Sequence, residues 1–442
     1  MQVKIITPQL LKQEFIQRKE EGCDVRTLDK DIQDVASLPE EEGNARAEGL
    51  FRKLEALSPA ADFPYREPGD LDEIKAARPG EAASIGMSVD KETLLDRTHG
   101  AWLGRCAGCM LGKPVEGWPR ERIEKVLRKV NAYPLDDYFP PEAREVEELD
   151  NPLRFDKSVT RGGITYSVRD DDTDYTLLAL HSLESVSRLP ASADFVNEWL
   201  DHLPYRKVYS AERAAYRNFV NGVMPPLSAT FVNPYREWIG AQIRADFWGY
   251  AFPGEPERAA EVAFQDARIS HVKNGIYGEM FVAAVVAAAF AADNIEEILQ
   301  AGLSQIPAES RLAEAVRRTI EWSNSDASWE RTWERVIGDY GNYHPVHTIH
   351  NAAFVVLALL HGQKDFTRTV SIAVMCGLDT DCNGATAGSV VGAMLGHTGI
   401  AESWKAPLND TLMTALAGMT TVRISDLAAR TRKAAATVTH AQ

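Results

Sequence analysis

Gly100-Ala101-Trp102-Leu103-Gly104-Arg105-Cys106-Ala107-Gly108-Cys109-Met110-Leu111-Gly112 sets a glycine at every fourth position, and Gly384, Gly388, Gly392 and Gly396 repeat the pattern far along the chain. On a helix this spacing aligns the glycines in one stripe. Each interior glycine costs roughly 1 kcal/mol against alanine, so eight of them need a compensating gain. Close approach of two helix backbones is such a gain, by the small-residue logic of membrane helix pairs. The two stretches are therefore expected to be helices that cross in the core. If they run antiparallel, the exit of the first lies beside the start of the second. Glu116, just past the first ladder, then comes near Asp379 and Asp381, which precede the second.

Outward from the ladders, the text from Asp90 to about residue 430 is mostly helical. Asp90 offers an N-cap. Strand-like alternation is rare, with Val159 to Val168 the best candidate. The longest apolar run, Met280 to Ala292, is too short to span a bilayer and reads as a buried helix. Residues 8 to 57 carry amphipathic helical spacing. Residues 58 to 87 hold Pro59, Pro64, Pro68, Gly69, Pro79, Gly80 and Gly86, the chemistry of a linker or of an arm that wraps the next domain. The expected fold is all-α: a single large many-helix orthogonal bundle over residues 91–442, with a helical N-terminal extension over residues 1–90. A chain of 442 residues with 45% hydrophobic and 25% charged residues can build such a core. Its net charge of -16 disfavours nucleic acid and anionic membranes as partners. Met1 to Thr7 lacks the basic and apolar pattern of a leader. The five cysteines are few and odd in number, so a reducing cytoplasm is expected.

Two acidic stretches carry the chemistry. Asp170-Asp171-Asp172-Thr173 precedes a helical run; one Asp suffices as a cap, and three exceed that need. Asp379-Thr380-Asp381-Cys382-Asn383-Gly384 opens like an EF-hand loop, but its twelfth place is Val390, so the closing glutamate is missing. Clustered hard oxygen donors point to a divalent cation of the Mg/Mn/Ca kind. Cys106 and Cys109 form a lone CxxC inside the first ladder, where core packing is the ordinary reading. His344, His347 and His350 are interrupted by Pro345 and suit a substrate loop leading into Asn351. His271 and Tyr277 flank Asn274-Gly275, and His271 fits a core or a pocket position. Trp238 to Phe252 mixes aromatics with Arg244 and Asp246, which suits a pocket wall or an aromatic core segment. Walker A, dinucleotide and nucleophile-elbow motifs are absent from the sequence.

Taken in order, these motifs resemble the ADP-ribosylglycohydrolase family. The likeness runs from about Thr98 to Gly399 and is carried by Gly100 through Gly112-Lys113-Pro114-Val115-Glu116, by Asp171-Asp172-Thr173, and by Gly377-Leu378-Asp379-Thr380-Asp381. Ser270-His271 and His347 to Ala353 are also similar to the family. The resemblance implies an all-α enzyme that hydrolyses a glycosidic bond to ADP-ribose on a protein or a small molecule. It implies a site for two Mg2+ ions, with Mn2+ or Ca2+ as other candidates. Carried over, the metal residues are Asp170, Asp171, Asp172, Asp379, Asp381 and Cys382. The catalytic residues are Glu116, Asp171 and Asp379. Beside these carried-over positions, the expected substrate residues are Arg244, Trp248, His271, Tyr277, His347 and Asn351. Cys382 stands where the family usually has Thr, Asp170 where it has Thr or Ser, and Cys109 replaces the Asp of a Gly-Asp pair. These departures keep a smaller nucleoside, riboside or glycoside as an alternative substrate. A pseudoenzyme that only binds ADP-ribose is the other alternative, opposed by the intact Glu116 and aspartates.

Overall fold

A computed structural model describes residues 6–80, 85–87, 89–146 and 152–439. Most of the Met1 to Thr7 stretch lies outside them. The described residues form 20 α-helices, several 3-10 turns and two short strands. The all-α expectation holds.

The helices Lys91–Gly112 and Thr380–Gly399 cross antiparallel at the centre. Gly100 meets the backbone of Gly392 and Gly396, Gly104 meets Gly388, Gly108 meets Gly384, and Gly112 meets Thr380. A Cβ on Gly108 would stand 1.9 Å from the Gly384 carbonyl oxygen, and one on Gly104 would stand 2.1 Å from that of Gly388. Any side chain there would force the backbones apart. Around this pair pack Asn274–Ala289, whose 16 residues are all buried, and the helices Thr348–Gly362, Phe366–Met375 and Ile424–Thr439.

Val159 to Val168 is not a strand. Lys157–Val159 is a 3-10 turn, and Gly162 follows at a φ of +80°. The alternation there is too short to outweigh the Gly162-Gly163 break. Only Ser167 bridges, to Leu412. The strands are Thr411–Met413 and Thr421–Arg423, a small antiparallel pair.

The helices Pro8–Glu20, Asp29–Ala36 and Glu40–Glu55 share a small apolar core around Leu11, Val35, Phe51 and Leu54, to which Val232 contributes. Residues 58–80 form an arm that lies on the bundle. Arg66 N donates to Glu309 O at 3.0 Å, Ala308 N donates to Ala77 O at 2.8 Å, and Ile74 enters the main core. A buried ion network completes the joint: Arg236 pairs with Glu14 (2.8 Å) and Glu21 (3.0 Å), and Arg311 pairs with Glu67 and Glu237 (both 2.7 Å). Such buried pairs are weak net stabilisers, but losing one partner costs ~3–5 kcal/mol. Among the described residues, no helix is long and apolar enough to cross a membrane.

Candidate active site

The ladder crossing sets the site's two edges. The first ladder helix ends in the turn Lys113–Val115, which delivers Glu116. The second begins at Thr380, directly beside Gly112, whose carbonyl accepts from Thr380 Oγ1 at 2.8 Å. Gly117 N donates to Leu378 O and Leu378 N donates to Trp118 O, both at 2.7 Å, so the two loops run as a paired ribbon. Leu378 takes a φ of +63°, a costly conformation for a branched side chain. That bend turns the chain into Asp379. The third edge is the helix Asp171–Val186. Asp170 is its N-cap and accepts from Asp172 N at 3.2 Å. Capping is thus done by Asp170, which leaves Asp171 and Asp172 for other work.

These segments enclose a cleft of 420 Å³ lined by Lys113, Glu116, Asp170, Asp171, Asp172, Asp379, Asp381 and Cys382, with Tyr209, Glu212, Trp238 and Ile243 on its walls. Ligand atoms of Asp172, Asp381 and Cys382 lie within 4.8 Å of one another, as do those of Cys109, Asp170 and Asp172. Burial, followed by mutual repulsion, pushes the carboxyls of Asp172 and Asp381 well above the usual range, and Asp171 likewise despite Arg169. Burial also works to raise Asp170, but Lys113, in direct contact with it, holds it low. Glu116 is pushed up to about 7 by burial, then by Asp379 and Asp170, although part of the residue is open to the cleft. Among the described residues Lys113, Arg105, Arg169 and Arg154 answer these six acids; Arg105 is shared with Asp246 (2.8 Å), Arg169 with Asp174 (2.7 Å), and Arg154 reaches Glu116 through its backbone carbonyl. Asp381 Oδ1 is buried with no hydrogen-bond partner. The arrangement is short of positive charge and rich in hard oxygens, which fits a divalent cation.

A family model for ADP-ribosylglycohydrolase matches residues 90–437. The chain belongs to the ADP-ribosylglycohydrolase family. Its relatives are glycohydrolases that act on ADP-ribose conjugates. Forty-six solved chains match. One of them, an ADP-ribosylglycohydrolase-related protein complex, is 21% identical with a TM-score of 0.50, over 78% of this chain and 99% of the other. At that identity the likeness speaks for the fold. No curated protein matches.

Of the residues expected at the site, Glu116, Asp170, Asp171, Asp172, Asp379, Asp381 and Cys382 share the cleft. The six expected substrate residues do not line it. Arg244 is buried and held by Glu212 and Asp266, each at 2.8 Å. Trp248 is fully buried against Phe195 and Phe247. Tyr277 donates to Pro68 O in the arm. His271 stands behind Glu212 at 3.8 Å. Asn351 caps backbone carbonyls of Pro345 and His347 and accepts from Asn383 at 2.9 Å. His347 is buried, and its backbone bridges to Trp238. The Trp238 to Phe252 segment does reach the cleft, but through Trp238, Ile239, Gly240 and Ile243. Helical geometry turns Arg244 and Trp248 toward the core. Lys113, Arg105, Glu212 and Tyr209 went unforeseen. Lys113 carried a usable signal, being a lone cation between the glycine ladder and Glu116 in a site of carboxylates.

Proposed function

We propose that this chain is a metal-dependent glycohydrolase that cleaves the bond between ADP-ribose and its acceptor, a modified protein or a small molecule. The observation that carries the reading is the convergence of Asp170, Asp171, Asp172, Asp379 and Asp381 in one cleft with Glu116 at its rim. Asp171, Asp172, Asp379 and Asp381 would hold the cation, Mg2+ first among the hard ions, with Asp170 and Cys382 beside them. A cation there supplies Lewis acidity and orients hydroxyls. Lys113 already engages Asp170, and Cys382 is a soft donor; both favour one firmly held ion over two equal ones.

The protein's own groups do the rest. Breaking the glycosidic bond develops positive charge on the ribose, which the surrounding carboxylates stabilise. Glu116 stands outside the aspartate cluster and handles the proton passed to the leaving atom or taken from water. Arg105 donates to Asp172 O at 3.0 and 2.8 Å and so fixes the start of the Asp171 helix. Trp238 is stacked on His344 with ring centres 4.1 Å apart and packs edge-on to Tyr235, giving the cleft a flat, immobilised aromatic face for a ring of the substrate. Residues 91–442 are assigned to catalysis. Residues 1–90 are assigned to bracing that wall, since Glu20 accepts from His344 N. The modest volume of the cleft favours a small riboside as the second reading.

The test is release of ADP-ribose from ADP-ribosylated arginine and serine substrates with added Mg2+ or Mn2+, beside nucleosides and simple glycosides. Asp379→Ala should abolish release and lower bound metal while the fold survives. Full activity and metal content in that variant would overturn the site assignment. Turnover confined to nucleosides would favour the second reading.

A further inference from the structure

Away from the cleft, three metal-ligating side chains converge where two helices meet. His181 lies on Asp171–Val186, and Glu198 and His202 lie one turn apart on Ser192–His202. Their ligand atoms fall within 4.8 Å of one another. A single oxygen, Glu198 Oε2, is 2.8 Å from His181 Nδ1 and 3.8 Å from His202 Nε2. The two imidazoles pack at 4.5 Å with their planes at 61°.

An ion pair between His181 and Glu198 accounts for the shorter contact. It does not account for His202. That ring directs Nδ1 at Ala417 O, 3.4 Å away, so in the neutral ring with its proton on Nδ1 the Nε2 lone pair faces Glu198. In that form two lone-pair acceptors face each other at 3.8 Å, an approach that either a proton on Nε2 or a metal cation between them stabilises. The second contact to a backbone carbonyl is the habit of histidines that bind metal. The side chains are 27%, 11% and 28% exposed, so the point of convergence is open on one side to water. Two imidazole nitrogens and one carboxylate oxygen with an open position make a donor set for a borderline transition-metal ion. The aspartate cluster, with its hard oxygens, asks for a different kind of ion.

We propose that His181, Glu198 and His202 bind a transition-metal dication of the Zn2+ or Co2+ class. The ion pins the Ser192–His202 helix to the helix that begins at Asp171. Small rotations of the three side chains bring 2.8 and 3.8 Å to an even spacing around it.

The test uses the full chain, stripped with a chelator and then held in excess Mg2+ so that hard-oxygen sites are filled. Titration with Co2+ should give the intense visible band of a four-coordinate ion, and Zn2+ should displace it. The band should vanish in Glu198→Gln and His202→Ala and persist in Asp379→Ala, which separates this site from the catalytic one. Zn2+ affinity in either triad variant should fall by more than the ~10–100-fold typical of losing an outer contact. Absence of the band in the wild-type chain would refute the proposal. So would a band and Zn2+ stoichiometry unchanged in Glu198→Gln, a near-isosteric change that keeps the helix packing.

Discussion

Gly108→Ala tests the ladder crossing most directly. An alanine here gains ~1 kcal/mol of helix propensity over glycine. Its Cβ, however, would lie 1.9 Å from Gly384 O and 2.5 Å from Gly384 C, where ordinary contact begins near 3.4 Å. Neither atom belongs to a side chain that can rotate away, so the two helices must separate by more than 1 Å along their stripe. Overpacking of this kind costs about 1–3 kcal/mol, and backbone against backbone belongs at the upper end. The expected net loss is roughly 2 kcal/mol, read as a lower denaturant midpoint. Gly338 supplies the control: it is exposed in the helix Trp329–Tyr340, and a Cβ there would meet nothing within 4 Å. Gly338→Ala should therefore gain up to ~1 kcal/mol by propensity alone. Gly108→Ala should also lower activity, because the same stripe sets Gly112 against Thr380 and hence Glu116 against Asp379 and Asp381. A Gly108→Ala protein as stable as the wild type and fully active would refute the argument that backbone contact holds this crossing.

Three further outcomes follow from the geometry. Glu116→Gln should keep metal content and product affinity while losing ~100- to 10,000-fold in turnover, measured by titration calorimetry and steady-state rates on one sample. Trp238→Ala should raise KM far more than it lowers kcat, since it removes a stacking face and leaves the carboxylates in place; an equal fall in both constants would assign Trp238 to the chemistry. Glu20 is pushed up to about 7, first by burial, with Glu237 and Glu21 adding to the rise and the His344 N–H and Arg311 opposing it. Below about pH 4.5 the group is protonated folded or unfolded, and its effect vanishes. Between about pH 4.5 and 7 the unfolded chain has lost the proton that the folded state keeps, so Glu20 lowers stability progressively across this window and by a constant amount above it. Glu20→Gln should thus be the more stable protein at about pH 8, with the difference closing toward pH 4.5; a difference independent of pH would show that Glu20 does not titrate in the folded chain.

The parts of this molecule that were legible in the sequence are those set by periodicity or local chemistry. Four-residue glycine spacing predicted the crossing, and its antiparallel sense, left open by the sequence, brings Glu116 to Asp379 and Asp381, residues some 260 positions apart. The aspartate run before a helix predicted a surplus of carboxylate, and Asp170 alone proves enough for the cap. What escaped was the direction of individual side chains on segments correctly placed. Trp238 to Phe252 was a fair wall, but within one 3-10 turn Ile243 faces the cleft while its neighbour Arg244 faces Glu212 and Asp266. Nothing local distinguishes them, because burying Arg244 depends on acids contributed by two other helices. The same holds for Arg236 and Arg311, whose partners Glu14, Glu21 and Glu67 lie in the N-terminal extension.

Those distant pairs also explain why the extension concerns the site. A free linker would leave residues 58–80 solvated, yet Glu67 holds Arg311, Tyr277 is tied to Pro68, and Glu20 reaches the backbone of His344. His344 is the ring on which Trp238 stacks, and Trp238 is, with Tyr209, an aromatic wall of the cleft. Buried carboxylates and guanidiniums fixed by one another permit few alternative packings, because any shift strands a charge out of water. The extension therefore fixes the position of a cleft-lining ring although none of its own residues lines the cleft. Specificity in this protein is accordingly expected to change with substitutions in residues 14 to 67 that leave every carboxylate of the cleft in place.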